Sequence, residues 1–527
     1  MSNNLKKITL GISLLFGILW TALIGLDYGN KHPGYYFSFS YFRYLGLYFS
    51  VTLFIIGSYF FYNINVTNNR PLKIRGLHVL LLIPLLFALI IFCNRNFGEL
   101  DSSFGDLSQF WINATFNFSL LLIFFHVLRS FGQLLRVKIL KDNVGNSFTI
   151  DTAIGVMSFT SILFILGVFD CLWVSSVLLV IFFLIVINIT YFITELKVYF
   201  IEPINLKDVN FLGWACFIFM LFFLSINFLS TNIPYPAGFD SRNVYVNISK
   251  IIADTGGLVS GFQPYNWSLL MSVGFIMFDY VELALGISFS AIVIVLIGTN
   301  ELGVKYLKIN GNIMKFILTL FVVTPSLVNQ MFVEIKVDFG LLFFQIASLI
   351  VFFYWKENYQ NTLNRASFCL VVLLGFLCGF GLGIKLINLF LIFVLIALIW
   401  WNTNNKVGLL GILLLSISVL ILAGIDELSG LQIYHLGYRQ TAITCAIVAF
   451  ILLFYSFIMN RDVFLRNTLF SIIMSVSMML MFSPWLCKNY LESEKISVNK
   501  LILGNGSGPD IGSYYDMLKR YKESQND

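Results

Sequence analysis

Apolar stretches of about 20 residues, long enough for an α-helix to cross a bilayer, recur along the whole of this sequence. No other feature restricts the fold as much. Hydrocarbon offers no hydrogen bonds, and a helix satisfies its backbone groups internally. The expected class is an all-α polytopic membrane protein. Composition agrees with this. Of 527 residues, 58 % are hydrophobic and 11 % charged, and 56 are Phe. A soluble surface needs roughly 25 % charged residues, so the soluble enzyme folds are excluded as the main body. The net charge of +6 is spread over short loops without a basic run, which argues against nucleic-acid partners.

Windows of about 19 residues give about 15 transmembrane helices. They lie near 8–26, 42–62, 77–93, 109–128, 152–169, 172–193, 211–230, 282–298, 314–330, 339–355, 367–383, 386–401, 408–424, 441–459 and 467–483. The segment Met1–Lys7 and its apolar sequel look like a signal peptide but lack a small-residue cleavage site, and are read as a retained first helix. Seven cysteines include no CxxC pair, so neither a zinc nor a redox motif is read. Cys93, Cys171 and Cys487 lie near the outer side and leave a disulfide open.

With the N-terminus inside, 19 Lys and Arg residues fall on the cytoplasmic side, among them Arg129 and Arg136. Eight fall on the opposite side before the C-terminal tail. That asymmetry supports an N-inside orientation, and an odd helix count puts the tail outside. Thirteen acids lie on the outer side before the tail and eight inside. The outer face is where carboxylate chemistry is expected.

The chain divides into an N-terminal membrane region of about six helices (1–208), a membrane core (209–490) and a short extracytoplasmic tail (491–527). One connection is long. The outer loop 231–280 follows the seventh span, and loops of that length in compact proteins are usually functional. Val244, Val246, Ile248, Ile251 and Ile252 predict a short surface helix, broken by Gly256, Gly257 and Gly261. Tyr265–Met277, with Trp267 at its start, is expected to lie flat at the membrane interface. Asp240 reads either as a cap for the helix after it or as a general base or metal ligand at the membrane surface.

Glu334, Lys336 and Asp338 put two carboxylates and an ammonium between two apolar runs, near bilayer level, where charges are costly. An ordinary solvated loop is the other reading. Gly379-Phe-Gly-Leu-Gly-Ile-Lys385 offers close helix packing and a lone cation that either snorkels or holds a lipid phosphate. Ser483-Pro-Trp-Leu-Cys-Lys-Asn489 closes the last span, as an interfacial helix end or with Lys488 on a phosphate. Arg439 and His435 sit near Asp426 and Glu427. Asp279 and Glu282 are expected to cap the eighth span.

From about 210 to 490 the order of these features resembles the GT-C superfamily of integral membrane glycosyltransferases, especially its protein-mannosyltransferase-like members. The match runs through Pro236-Ala-Gly-Phe-Asp240-Ser-Arg-Asn-Val-Tyr245, Tyr265-Asn-Trp-Ser-Leu-Leu, Thr324-Pro325, Glu334–Asp338, Gly379–Lys385 and Ser483–Asn489. Six spans precede the part that matches, and the tail of about 44 residues is too small for the folded outer domain of some members.

The resemblance implies a sugar donor on a polyprenyl phosphate, and a lipid, glycan or protein acceptor at the outer face. It implies that Asp240 deprotonates or orients the acceptor. Glu334 and Asp338 would position the acceptor or hold a divalent metal, Mg or Mn, which suits hard carboxylate oxygens. Lys385, with Lys336, Arg439 and Lys488, would neutralise the leaving phosphate, whose charge develops in the transition state. The implied setting is a membrane, compatible with a bacterial inner membrane, with lipids as surroundings. The rival readings are an O-antigen polymerase or ligase, and a flippase for a lipid-linked glycan. A transporter calls for ionisable groups within the spans, and here His78 and His126 are read as lying near span ends.

Overall fold

The structure is a computed structural model and describes residues 54–59, 75–97, 104–140, 146–202, 209–232, 244–260, 263–324, 327, 336–360, 362–403, 405–422 and 438–492. Among them all regular elements are helical and there is no strand. In chain order they are α1 (Gly76–Phe97), α2 (Phe104–Leu140), α3 (Phe148–Val168), α4 (Val174–Ile201), α5 (Phe211–Thr231), α6 (Val246–Thr255), α7 (Asn266–Phe278), α8 (Val281–Glu301), α9 (Gly311–Val322), α10 (Asp338–Tyr359), α11 (Arg365–Leu382), α12 (Leu389–Asn402), α13 (Lys406–Leu422), α14 (Tyr438–Met459) and α15 (Arg461–Glu492). A π-helical turn, Leu302–Tyr306, prolongs α8, and a 3₁₀ turn, Leu386–Asn388, leads into α12.

Nine of the described helices are long and apolar enough to cross a membrane: α2, α3, α4, α5, α8 with its π turn, α10, α11, α14 and α15. The chain is thus a multi-pass helical membrane protein. Four further expected spans carry helices, α1, α9, α12 and α13, but with only 10–17 residues of described apolar helix each. The expected span 8–26 lies outside the described residues, as does 42–62 except for 54–59.

The chain forms two units. The first comprises Met1–Phe131, Cys171–Gly256 and Leu270–Phe339. Its aromatic core joins four helices: Phe228 of α5 stacks on Phe87 of α1 at 5.4 Å and meets Phe118 of α2 and Phe289 of α8 edge-on at 5.9 and 5.6 Å. Asn210 and Asn310 cap α5 and α9 by accepting from the backbone N–H of Gly213 and Asn312.

The second unit comprises Gly132–Asp170, Gly257–Leu269 and Gly340–Asp527. Gly375 and Gly379, one turn apart on α11, let the backbone of α15 come close. A Cβ at Gly379 would lie 2.3 Å from the Met478 carbonyl oxygen, and one at Gly375 would lie 2.4 Å from that of Met474. Small residues serve this purpose where lipid supplies no hydrophobic drive between helices. Gly379→Ala is expected to lower stability by about 1–3 kcal/mol, read as an earlier thermal unfolding midpoint in detergent. An unchanged midpoint would mean that α11 and α15 separate freely. Trp355 packs edge-on to Phe470 at 5.2 Å and donates to Ser367 Oγ at 2.9 Å.

Four sequence expectations need correction or completion. α6 forms where the Val/Ile pattern predicts it and ends at Gly256, whose φ of 70° only glycine adopts cheaply. α7 is not an exposed amphipathic segment: residues 264–276 are all buried and Trp267 is 0 % exposed. Its faces are all apolar or small, so it has no polar face to give to water. Asp279 does not cap α8, whose N-cap position is Tyr280. Cys171 and Cys487 are free thiols, and the Cys93 side chain lies outside the description.

Candidate functional site

In the second unit, three of the sequence motifs come together where α11 ends. The end of a helix leaves carbonyl groups without intrahelical partners, and in apolar surroundings each needs a donor. Here the donors come from distant segments. The backbone N–H groups of Ile384 and Lys385 both reach the Gly381 carbonyl at 3.0 Å, folding the Gly-rich stretch back on itself. Asn388 Nδ2 donates to the Cys378 carbonyl at 2.9 Å, and Gln345 of α10 donates to Asn388 Oδ1 at 3.2 Å. Asn266, first residue of α7, donates its backbone N–H to the Gly383 carbonyl at 2.8 Å and its Nδ2 to the Phe380 carbonyl at 3.0 Å.

The remaining amide atom of Asn266 completes the latch. Its Oδ1 accepts from Trp485 Nε1 at 2.8 Å. One buried Asn thus ties the start of α7, the Gly379–Lys385 hairpin and the late Pro-Trp element. Gly383 is required by space: a Cβ there would lie 2.1 Å from Asn266 Nδ2. Trp485 is walled by Phe164 of α3 and by Tyr265, both edge-on, at 4.8 and 4.5 Å.

The helix carrying Trp485 contains Pro484. Proline has no N–H for the carbonyl four residues back, which belongs to Leu480. Ser483 Oγ donates to that carbonyl at 2.8 Å, so the helix continues. One turn after Ser483–Trp485 comes Lys488. Its Nζ lies 3.0 Å from Glu492 Oε2 and 6.0 Å from the ring centres of Tyr265 and Trp485. Tyr265 lies outside the spanning helices; burial raises its phenol well above the ordinary range, and its hydroxyl donates to the Val259 carbonyl at 3.1 Å.

The other expected site residues fall elsewhere, apart from Lys385 at the end of the same hairpin. Lys385 sits half-buried two residues beyond Gly383, in extended backbone leading into the 3₁₀ turn. Lys336 and Asp338 belong to the first unit. The Lys336 carbonyl accepts from Ser288 Oγ at 2.6 Å, and Asp338 is the first residue of α10, where the helix dipole favours an acid. Asp240 and Glu334 lie outside the described residues. Arg439 is on α14, but its side chain lies outside the description.

Several charged groups were missed by the sequence reading. In the first unit Lys250 of α6 bridges Asp254 at 2.8 Å and Asp279 at 2.7 Å, over the Phe275 ring at 5.8 Å. Burial lowers the Lys250 pKa, but its hydrogen bonds and the two carboxylate charges outweigh that and leave it above the ordinary value. Asp279, with φ 56°, turns its carboxylate to this cation. Arg129 of α2 pairs with Glu195 of α4 at 2.9 Å, and His126 Nδ1 is 3.7 Å from the same carboxylate. In the second unit Arg136 and Asp151 form a buried pair. Arg129 and Arg136, counted above on the cytoplasmic side of the spans, are residues of α2. The usable signal was an acid and a base, each inside an apolar run.

No three His, Cys, Asp or Glu side chains among the described residues converge as a metal site. Comparison with family models, with curated proteins and with solved structures found no match to this chain.

Proposed function

We propose that this protein is a membrane glycosyltransferase of the GT-C kind, moving a sugar from a polyprenyl-phosphate donor to an acceptor at the outer face of the membrane. The observation that carries the reading is the Asn266 latch. It joins three segments which the resemblance assigns to one catalytic core, and it tethers the backbone that bears Lys385 and Lys488. A cation walled by aromatic rings suits a leaving phosphate: it stabilises the developing charge without reorganising water. Asp240 is the proposed base, with Glu334 and Asp338 for the acceptor or a divalent metal, and Lys336 and Arg439 as further cations. An N-inside orientation in a bacterial inner membrane completes the proposal.

A second reading has one observation in its favour. The His126–Arg129–Glu195 group, with its carboxylate buried, lies on spanning helices, and such groups often mark transport paths. That favours a flippase for a lipid-linked glycan.

Asp240→Asn and Lys488→Gln, each in a host lacking the wild-type gene, separate the readings. Glycoconjugates are stained and inserted protein is blotted. Glycosyl transfer predicts a loss of glycan of about 100-fold or more for either variant at normal protein level. Unchanged glycan with both variants overturns it. Lost glycan with the sugar lipid held at the inner leaflet moves the conclusion to transport.

A further inference from the structure

Lys488 is enclosed by protein and only 8 % exposed. The rings of Tyr265 and Trp485 attract its charge but do not neutralise it. Neutralisation comes from Glu492, one turn further along α15, at 3.0 Å. The two side chains are unequally placed. That of Lys488 is 6 % exposed, while that of Glu492 is 25 % exposed. The cation is fixed inside, and its anion stands at the edge, on the last residue of the helix.

This arrangement permits exchange. A buried ammonium without an anion is costly, so the carboxylate leaves only as another anion arrives. A phosphate group suits the place, because its oxygens accept what the ammonium donates and its charge equals or exceeds that of a carboxylate. Throughout the swap Lys488 keeps an anionic partner, and the released carboxylate moves to the more exposed side of the pair. We infer that Glu492 holds the place of a phosphate group beside Lys488, and that a phosphate-bearing ligand binds by displacing it. This rests on the proposed role of Lys488 and adds a regulatory residue to it. The ligand chemistry is a phosphate, either a lipid headgroup or free phosphate.

The sign of the effect is the test: removing a carboxylate from the site tightens binding. The full-length protein in neutral detergent is titrated calorimetrically with decyl phosphate and, separately, with inorganic phosphate at fixed ionic strength. Glu492→Gln and Glu492→Ala are expected to bind about tenfold tighter than wild type, equivalent to about 1.4 kcal/mol. Lys488→Gln is expected to lose binding, alone or combined with Glu492→Gln. Gain with decyl phosphate alone identifies a lipid headgroup, and equal gain with both probes identifies free phosphate.

Should both neutral variants fail to fold, Glu492→Asp keeps the charge but withdraws it, and a smaller gain is expected. Weakened binding in Lys488→Gln without any gain in the Glu492 variants overturns the exchange and leaves the phosphate role of Lys488 standing. Wild-type binding in Lys488→Gln overturns both.

Discussion

Arg136→Met is expected to destabilise the protein by about 3–5 kcal/mol, whereas Arg136→Met combined with Asp151→Leu should recover most of that loss. The two side chains are each 1 % exposed, and the guanidinium reaches both carboxylate oxygens, Nε to Oδ1 and Nη2 to Oδ2 at 3.4 Å. Nη2 also donates to Asn146 Oδ1 at 2.8 Å. Loss of the arginine alone leaves a buried carboxylate without its cation. Loss of both charges leaves only a packing change, because taking two ions out of water roughly cancels their mutual attraction. Space around the pair is tight: a Cβ at Gly132 would lie 1.8 Å from the Asp151 carbonyl oxygen. The measurement is the thermal midpoint in detergent of wild type, both single variants and the double. A double variant as unstable as Arg136→Met would show that the loss comes from packing and not from the stranded charge.

This pair also shows where sequence reading stops. The positions of the helices were legible because hydropathy is a one-dimensional signal: α3, α4, α5 and α8 lie over the expected spans. The role of Arg136 was not, because a cation at the end of a hydrophobic run looks like a loop residue until the helix is known to continue to Leu140. At 37 residues and 1.5 Å per residue, α2 is about 55 Å long, well beyond a bilayer core. α7 was misjudged for a related reason. Tyr265 just before it and Trp267 at its start suggested an interface, but Ser268, Ser272 and Gly274 permit close packing on the remaining faces, and a Cβ at Gly274 would lie 2.5 Å from the Ala284 nitrogen. The candidate site was legible as motifs and illegible as a constellation. Gly379–Lys385 and Ser483–Asn489 were singled out for their residue types. That Asn266 joins them depends on contacts 114 and 219 residues apart in sequence, which no local pattern records.

Asn266→Leu is expected to cost about 2–5 kcal/mol and, under the proposed function, to abolish glycan transfer. The substitution keeps the branched shape and number of heavy atoms, and the backbone bond to Gly383, but removes both amide bonds and puts two bulkier methyl groups in their place. The Phe380 carbonyl loses its side-chain donor, and the Trp485 indole N–H, on a residue 2 % exposed, loses its acceptor. A buried donor left unmade costs about 1–3 kcal/mol, which is why one amide here outweighs an ordinary hydrogen bond. The latch also makes a prediction about coupling. Trp485→Phe alone removes the indole donor and strands Asn266 Oδ1. In the Asn266→Leu background the same change removes a donor that no longer has a partner, so it should cost less there by about 1 kcal/mol or more. Additive losses would mean that the two residues act separately, and that Lys488 is not placed through Asn266. Glycan output, read at equal protein level, then separates placement from stability. If Trp485→Phe keeps most of the protein folded and still loses transfer, the contact positions the cation for chemistry. If transfer falls only in step with folded protein, the latch serves the fold alone.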